Sequence, residues 1–276
     1  LSLHDALPIP RGTYRGITTI RQGLISSLNT VAAQVLDKLT PQVSYEYLTE
    51  RLGIKSLDPV NDVAYAPLAL GQLTNGLTVR EITQAFSSFV NDGVMTFGRT
   101  YSQVLDANGN VVIDNTPETI VAFKPNTAWN IANMLQAAAT YGTGWEANLG
   151  KMPTAGKTGT TSDDRDRWFV GFTPYYVAGV WTGYDTPEPM RFYGNPAAQI
   201  WKKVMAPLHE GLEYKTFPTP IIGQPTNIFG DLEEEEEEEE PSPSPSESPE
   251  PSEEPSPSPS ASEPPSSSPT PSPSPS

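Results

Sequence analysis

The apolar positions of this chain follow two rhythms, a helical one and an alternating one, and they change over along the sequence. Between residues 20 and 39, Leu24, Ile25, Leu28, Val31, Ala32, Val35, Leu36 and Leu39 keep helical spacing. The polar knot Ser26-Ser27-Leu28-Asn29-Thr30 interrupts them. Such a knot is either a local helix break with side-chain-to-backbone bonds or a functional insertion. Residues 44–52 read as a second, short helix ended by Gly53, and Leu68-Ala69-Leu70-Gly71 leads on through polar turns. Thr78 is placed to cap a helix running to Val90, with Glu81 as its capping-box partner and Asn91-Asp92-Gly93 as its stop. Asn126 is expected to cap a helix over 127–141 that turns Ile131, Leu135 and Ala138 inward and stops at Gly142. Asn195-Pro196 opens a last helix carrying Ile200, Val204, Met205 and Leu208.

The alternating rhythm predicts two hairpins. Residues 101–105 and 111–113 flank the turn-forming run Asp106-Ala107-Asn108-Gly109-Asn110. Residues 168–172 and 176–184 flank Thr173-Pro174-Tyr175. Helices first, consecutive antiparallel strands next and a closing helix make an α+β domain.

Composition then divides the chain. From Glu233 onward the sequence is eight consecutive glutamates and then almost only Pro, Ser and Glu. Those residues include 13 acidic and no basic side chains, so they carry all but 3 of the 16 net negative charges. With few apolar side chains to offset chain entropy, residues 223–276 are expected to be a linker and a disordered acidic tail. Such charge argues against a nucleic-acid partner. The chain has no cysteine, which excludes thiol catalysis, disulfides and thiolate metal sites, and only two histidines, His4 and His209. Neither a Ser-His-Asp triad nor a metal site is supported. Residues 1–10 look like a non-native leader, because His4 to Ile9 is what a common sequencing adapter spells when translated.

The richest chemistry lies in Thr154-Ala155-Gly156-Lys157-Thr158-Gly159-Thr160-Thr161. Gly156 and Gly159 let another backbone or a ligand approach closely. On an extended strand Lys157 points to one side, while Thr158 and Thr160 share the other. A phosphate loop needs four residues between its first glycine and Gly-Lys-Thr, followed by a helix. Here five residues separate Gly150 from Gly156, and three carboxylates and strand-like sequence follow. The other chemistry with such a run is the Lys-Thr-Gly strand of penicillin-recognising acyl transferases.

The order of motifs decides between them. Ser27-Leu28-Asn29 precedes Gly142-Thr143-Gly144, then Lys157-Thr158-Gly159-Thr160-Thr161, then Asp166-Arg167-Trp168-Phe169-Val170-Gly171-Phe172-Thr173-Pro174 and Val180-Trp181-Thr182-Gly183-Tyr184-Asp185. This resembles the C-terminal transpeptidase domain of class A (bifunctional) penicillin-binding proteins, over roughly residues 11–210. The resemblance implies a penicillin-binding protein/serine β-lactamase-like fold, a five-stranded antiparallel sheet flanked by helices. It implies acyl transfer without cofactor or metal. A serine attacks the D-Ala-D-Ala end of a peptidoglycan stem peptide, D-alanine leaves, and a neighbouring amine takes the acyl group; β-lactams trap the acyl-enzyme. Ser27 is then a proton relay, Asn29 orients the substrate amide, and Lys157 supplies positive charge. Thr158 and Thr160 hold the substrate carboxylate around Gly159, and the Thr160 N–H is one oxyanion-hole donor.

The chain also departs from the pattern. None of its eight lysines has a serine three residues before it, so the nucleophile of Ser-x-x-Lys is not here. Arg167 stands where the family usually has a small residue. The expectation is a fragment: residues 11–222 as the later part of a transpeptidase domain, with nucleophile, glycosyltransferase domain and membrane anchor upstream. Its partners would be stem peptides, β-lactams and the cell wall, outside the cytoplasm of a Gram-positive bacterium, with membrane contact only through the missing anchor. The alternatives are a non-catalytic wall-binding or β-lactam-sensing relative, and a soluble serine β-lactamase, for which no base for the hydrolytic water can be identified.

Overall fold

The computed structural model describes residues 16–218. The expected leader, residues 11–15 and residues 219–276 with the expected acidic tail lie outside the described residues.

The periodic segment at 20–39 is two helices, α1 (Ile20–Ile25) and α2 (Asn29–Leu39), and the polar knot is the break between them. Thr19 caps α1 by accepting from the Gln22 N–H. Ser27 takes a positive φ of 53°, unusual for a residue with a Cβ, and the Leu28 N–H reaches back to the Gly23 carbonyl at 2.8 Å. Next come α3 (Pro41–Glu46) and one π-helical turn, Tyr47–Arg51. This helical stretch starts three residues before the predicted one because Pro41, with its φ already helical, opens it. A short helix that the sequence does not announce, α4 (Tyr65–Leu70), ends at Gly71 in the left-handed conformation.

Helix α5 (Val79–Val90) has the predicted capping box, with both Thr78 and Glu81 engaged. Glu81 does more than cap. Its carboxylate accepts from the Thr78 N–H and hydroxyl at 3.0 and 2.7 Å, and from the Lys55 and Ser56 N–H groups at 2.9 and 3.1 Å. Burial pushes its carboxyl up, but these four donors outweigh it and hold the pKa at about 2. A carboxyl depressed in the fold stabilises above its unfolded value, and that contribution is lost as pH falls through about 2. Glu81→Gln is therefore expected to cost about 2–3 kcal/mol at pH 7. Urea unfolding should show the gap between variant and native protein closing below pH 4.

Two small antiparallel ribbons follow. Strands β1 (Val94–Thr96) and β4 (Thr119–Val121) pair with each other, which the sequence rhythm does not reveal. Strands β2 (Gln103–Leu105) and β3 (Val111–Asp114) form the first predicted hairpin. Its turn is pinned by Asp106, which accepts from the Asn108 and Asn110 N–H groups at 2.8 Å each. Helix α6 (Pro125–Tyr141) begins two residues before the predicted start, and Lys124, not Asn126, is its cap. The reason is Pro125: it favours the first helical position and pushes the residue before it into extended backbone.

The central sheet is β5 (Ala155–Thr160), β6 (Arg167–Phe172) and β7 (Val177–Thr182), antiparallel in that order. Of the five strands that the resemblance implies, this sheet holds three among the described residues. The β6–β7 turn falls at the expected Thr173-Pro174-Tyr175, where the Thr173 hydroxyl accepts from the Tyr175 and Tyr176 N–H groups and meets His209 Nε2 at 2.8 Å. Helix α7 (Pro196–Leu208) closes the domain and is capped by Asn195, as predicted.

Alternation across β6 sorts the core. Phe172 packs with Phe86 and Phe89 of α5 and with Ala132 and Leu135 of α6 on one face of the sheet. Phe169 packs with Trp201 and Met205 of α7 on the other, its ring 5.3 Å from Trp201 and edge-on. A helical layer on each side of an antiparallel sheet leaves the β5 edge as the place where a cleft can form.

Candidate active site

Strand β5 is an edge strand, and its register determines which backbone groups are free. The Thr161 N–H bonds the Asp166 carbonyl at 3.2 Å, while Thr160 faces Arg167, Gly159 faces Trp168 and Thr158 faces Phe169. Hydrogen-bonded and non-bonded pairs alternate in an antiparallel ladder. Thr158 and Thr160 are therefore in non-bonded pairs, and their N–H and C=O groups point away from β6, out over the edge. Such an edge accepts an extended peptide or aims donors at a ligand.

Gly156 explains how the strand comes to lie here. A Cβ on it would stand 2.4 Å from Phe169 Cζ and 2.8 Å from the Val170 carbonyl oxygen. The missing side chain lets the Phe169 ring lie across the strand. Gly159 has more room: its Cβ would be 3.1 Å from Trp168 Cβ. The close approach read from both glycines is thus a packing requirement at Gly156 foremost.

Lys157 and the two threonines diverge as the strand geometry predicts. Lys157 Nζ donates to Ser27 Oγ at 2.8 Å and to its neighbour's carbonyl, Thr158 O, at 2.9 Å. The first of these bonds joins residues 130 apart in sequence. Burial with no anionic partner lowers the Lys157 pKa to about 8 from 10.5. The ammonium still dominates at pH 7. Thr158 Oγ1 donates to Thr143 Oγ1 at 2.8 Å.

The α1–α2 break is held against this strand by more than one bond. The Thr143 N–H donates to the Ile25 carbonyl, and a Cβ on Gly142 would lie 2.6 Å from that same oxygen. Ser27 sits at the tip of the break with its left-handed φ, and strain of that kind collects at functional sites. Ser27, Asn29, Lys157, Thr158, Gly159 and Thr160 all line one cavity of about 1000 Å³. The sequence offers Thr143 only as part of Gly142-Thr143-Gly144; the structure places it on the cavity lining, bonded to Thr158, and the glycines around a lone hydroxyl were the signal.

Residues 9–206 match the family model described as the penicillin binding protein transpeptidase domain. The chain belongs to the penicillin-binding protein transpeptidase family. It is 36% identical over 216 residues to penicillin-binding protein 1A of Clostridium botulinum, which covers 76% of this chain and 26% of that protein. Penicillin-binding protein 1A of Aquifex aeolicus is 35% identical over 214 residues, covering 75% of this chain and 28% of the relative. The chain thus spans about a quarter of the length of these relatives. Among solved structures, the PonA1 protein of Mycobacterium tuberculosis in complex with penicillin V superposes with a TM-score of 0.65 at 26% identity, over 76% of this chain and 61% of that one. Penicillin-binding protein 1A from Haemophilus influenzae gives 0.62 at 20% identity over 74% of this chain and 36% of that one, a likeness of fold.

Proposed function

We propose that this chain carries the substrate-recognising part of a peptidoglycan D,D-transpeptidase site, acting on D-Ala-D-Ala stem peptides outside the cytoplasm and open to acylation by β-lactams. Residues 11–222 are its globular part and 223–276 an acidic extension; the clostridial relatives fit a Gram-positive wall. The observation that carries the reading is the bond from Lys157 Nζ to Ser27 Oγ. A half-buried ammonium donating to a serine oxygen makes that hydroxyl a better proton relay, because the charge stabilises the alkoxide.

The other groups follow from the free edge of β5. The Thr158 and Thr160 hydroxyls hold the carboxylate of the terminal D-alanine, and Asn29 takes the substrate amide. The outward Thr160 N–H is one donor to the oxyanion, a kind of contact worth about 3–4 kcal/mol. The acyl group passes from the peptide carbonyl to a serine oxygen as D-alanine leaves, then to an amine of a second strand.

No Ser-x-x-Lys motif to supply that serine occurs in this sequence. The cavity is lined chiefly by apolar side chains, among them Leu24, Val31, Leu36, Phe86 and Leu135. Ile20 and Val35, on the same lining, are 59% and 40% exposed. Apolar surface left open beside Ser27 and Lys157 fits a seat for a further segment that supplies the nucleophile.

Intact mass after exposure to a penicillin, measured on the protein carrying its genuine upstream sequence, tests this. One adduct per molecule, on a serine upstream of residue 11, is expected. A folded protein that takes up no adduct would favour a non-catalytic wall-binding relative.

A further inference from the structure

Arg167 is the one departure within the matched motifs that carries a full charge, and it lines the cavity beside Thr160. It is the cross-strand partner of Thr160, in a non-bonded pair, so the two side chains share a face about 5 Å apart at Cβ. Its guanidinium is held from two sides. One terminal nitrogen donates to the Gly194 carbonyl at 3.2 Å, and the other meets the Asp164 carboxylate at 3.0 Å. The Arg167 side chain is only 16% exposed, whereas Asp164 is 54% exposed. Arg167 Nε is buried and has no acceptor.

This is an incomplete pairing. A guanidinium fork offers two parallel N–H groups to one carboxylate, and Asp164 engages one. Asp164 itself sits at φ 58°, beside Asp163 at φ 59°, in a left-handed stretch that residues with a Cβ avoid. An ion pair to a half-exposed partner is screened and weak. A mostly buried cation with a spare donor thus stands one strand away from Thr160, the residue assigned to the substrate carboxylate.

We propose that Arg167 is a specificity-determining residue of this site: a second cation, beside Lys157, that reads the carboxylate of the substrate or of a β-lactam in competition with Asp164. This rests on the transpeptidase reading above. Arg167 shares the face of Thr158 and Thr160 while Lys157 stands on the other, so an anion held at this strand edge has a cation on each side of the strand. Asp164 occupies the cation when the site is empty and yields part of it when a carboxylate arrives.

The test uses the full-length protein, with a penicillin and its methyl ester as paired probes, separating the pre-acylation dissociation constant from the acylation rate constant. Arg167→Ala should weaken binding of the free-carboxylate penicillin about 10-fold or more and leave the ester within about twofold. Asp164→Asn should do the opposite, tightening the carboxylate ligand about threefold by removing the competitor, and it should have no such effect in the Arg167→Ala background. Arg167→Lys, which keeps the charge, should recover part of the loss. Equal losses for penicillin and ester in Arg167→Ala would reduce Arg167 to a clamp between Asp164 and Gly194 and overturn the proposal. So would weaker carboxylate binding in Asp164→Asn. If the unaltered protein is acylated normally while these variants behave like it, this inference fails and the transpeptidase reading stands.

Discussion

Lys157→Ala in the intact protein is expected to slow acylation by a penicillin by about 100-fold or more. The change removes the donor 2.8 Å from Ser27 Oγ and the positive charge proposed to draw a carboxylate toward Thr158 and Thr160. It also leaves the Thr158 carbonyl without its 2.9 Å partner. The pH dependence separates the role assigned here from its opposite. With its pKa near 8, Lys157 loses its proton in an accessible range. If the ammonium does the work, acylation declines as pH rises through about 8, and a neutral amine acting as base would instead raise it. Stopped-flow acylation between pH 6 and 10 reads this directly. Folding responds with its own sign. A lysine whose pKa is lowered in the fold releases its proton before the unfolded chain does, so its contribution to stability grows between pH 8 and 10.5 and is lost as pH falls through 8. Acylation kinetics unchanged by the substitution would remove Lys157 from the mechanism.

Gly156→Ala is expected to cost about 3 kcal/mol of stability or more, a large effect for one methyl group. The new carbon would lie 2.4 Å from Phe169 Cζ, 2.8 Å from the Val170 oxygen and 2.9 Å from Gly171 Cα. The ring cannot swing aside, since Phe169 is fully buried against Trp201. The two backbone atoms belong to β6 and are tied into the sheet. The strain must therefore move β5, and with it Lys157 and the free edge at Thr158 and Thr160. Denaturant unfolding measures the first effect. A parallel loss of acylation in the fraction that remains folded measures the second. Gly159→Ala, at 3.1 Å from the Trp168 Cβ, is the control and should cost clearly less. Comparable stability in the two alanine variants would mean that Phe169 is not what shapes this strand.

The helices at 79–90 and 196–208 were legible because caps and periodicity agree there: Thr78 with Glu81, and Asn195 before Pro196. The Lys157 strand was legible because alternation fixes which side chains share a face, and the structure keeps Lys157 apart from Thr158 and Thr160. Family membership was legible from the order of motifs, since each is short but their sequence is specific. Local order left the knot at 26–30 open between a helix break and a functional insertion, and it did not say where its hydroxyl goes. That the Ser27 hydroxyl meets an ammonium 130 residues away is a consequence of α1 packing on α6, which itself packs on β5, and no local pattern encodes that. The same holds for Thr143, whose partner Thr158 is on another element, and for Arg167, which reads as an oddity until Thr160, Asp164 and Gly194 gather around it. The pairing of β1 with β4 escapes for a related reason: three-residue strands carry too little alternation to be seen, and only their contact across 25 residues makes them strands. Propensity and period are properties of neighbours in the chain. A site that works through charge and proton transfer is a property of neighbours in space, and here the packing of Phe169 and Phe172 on opposite faces of one sheet brings them together.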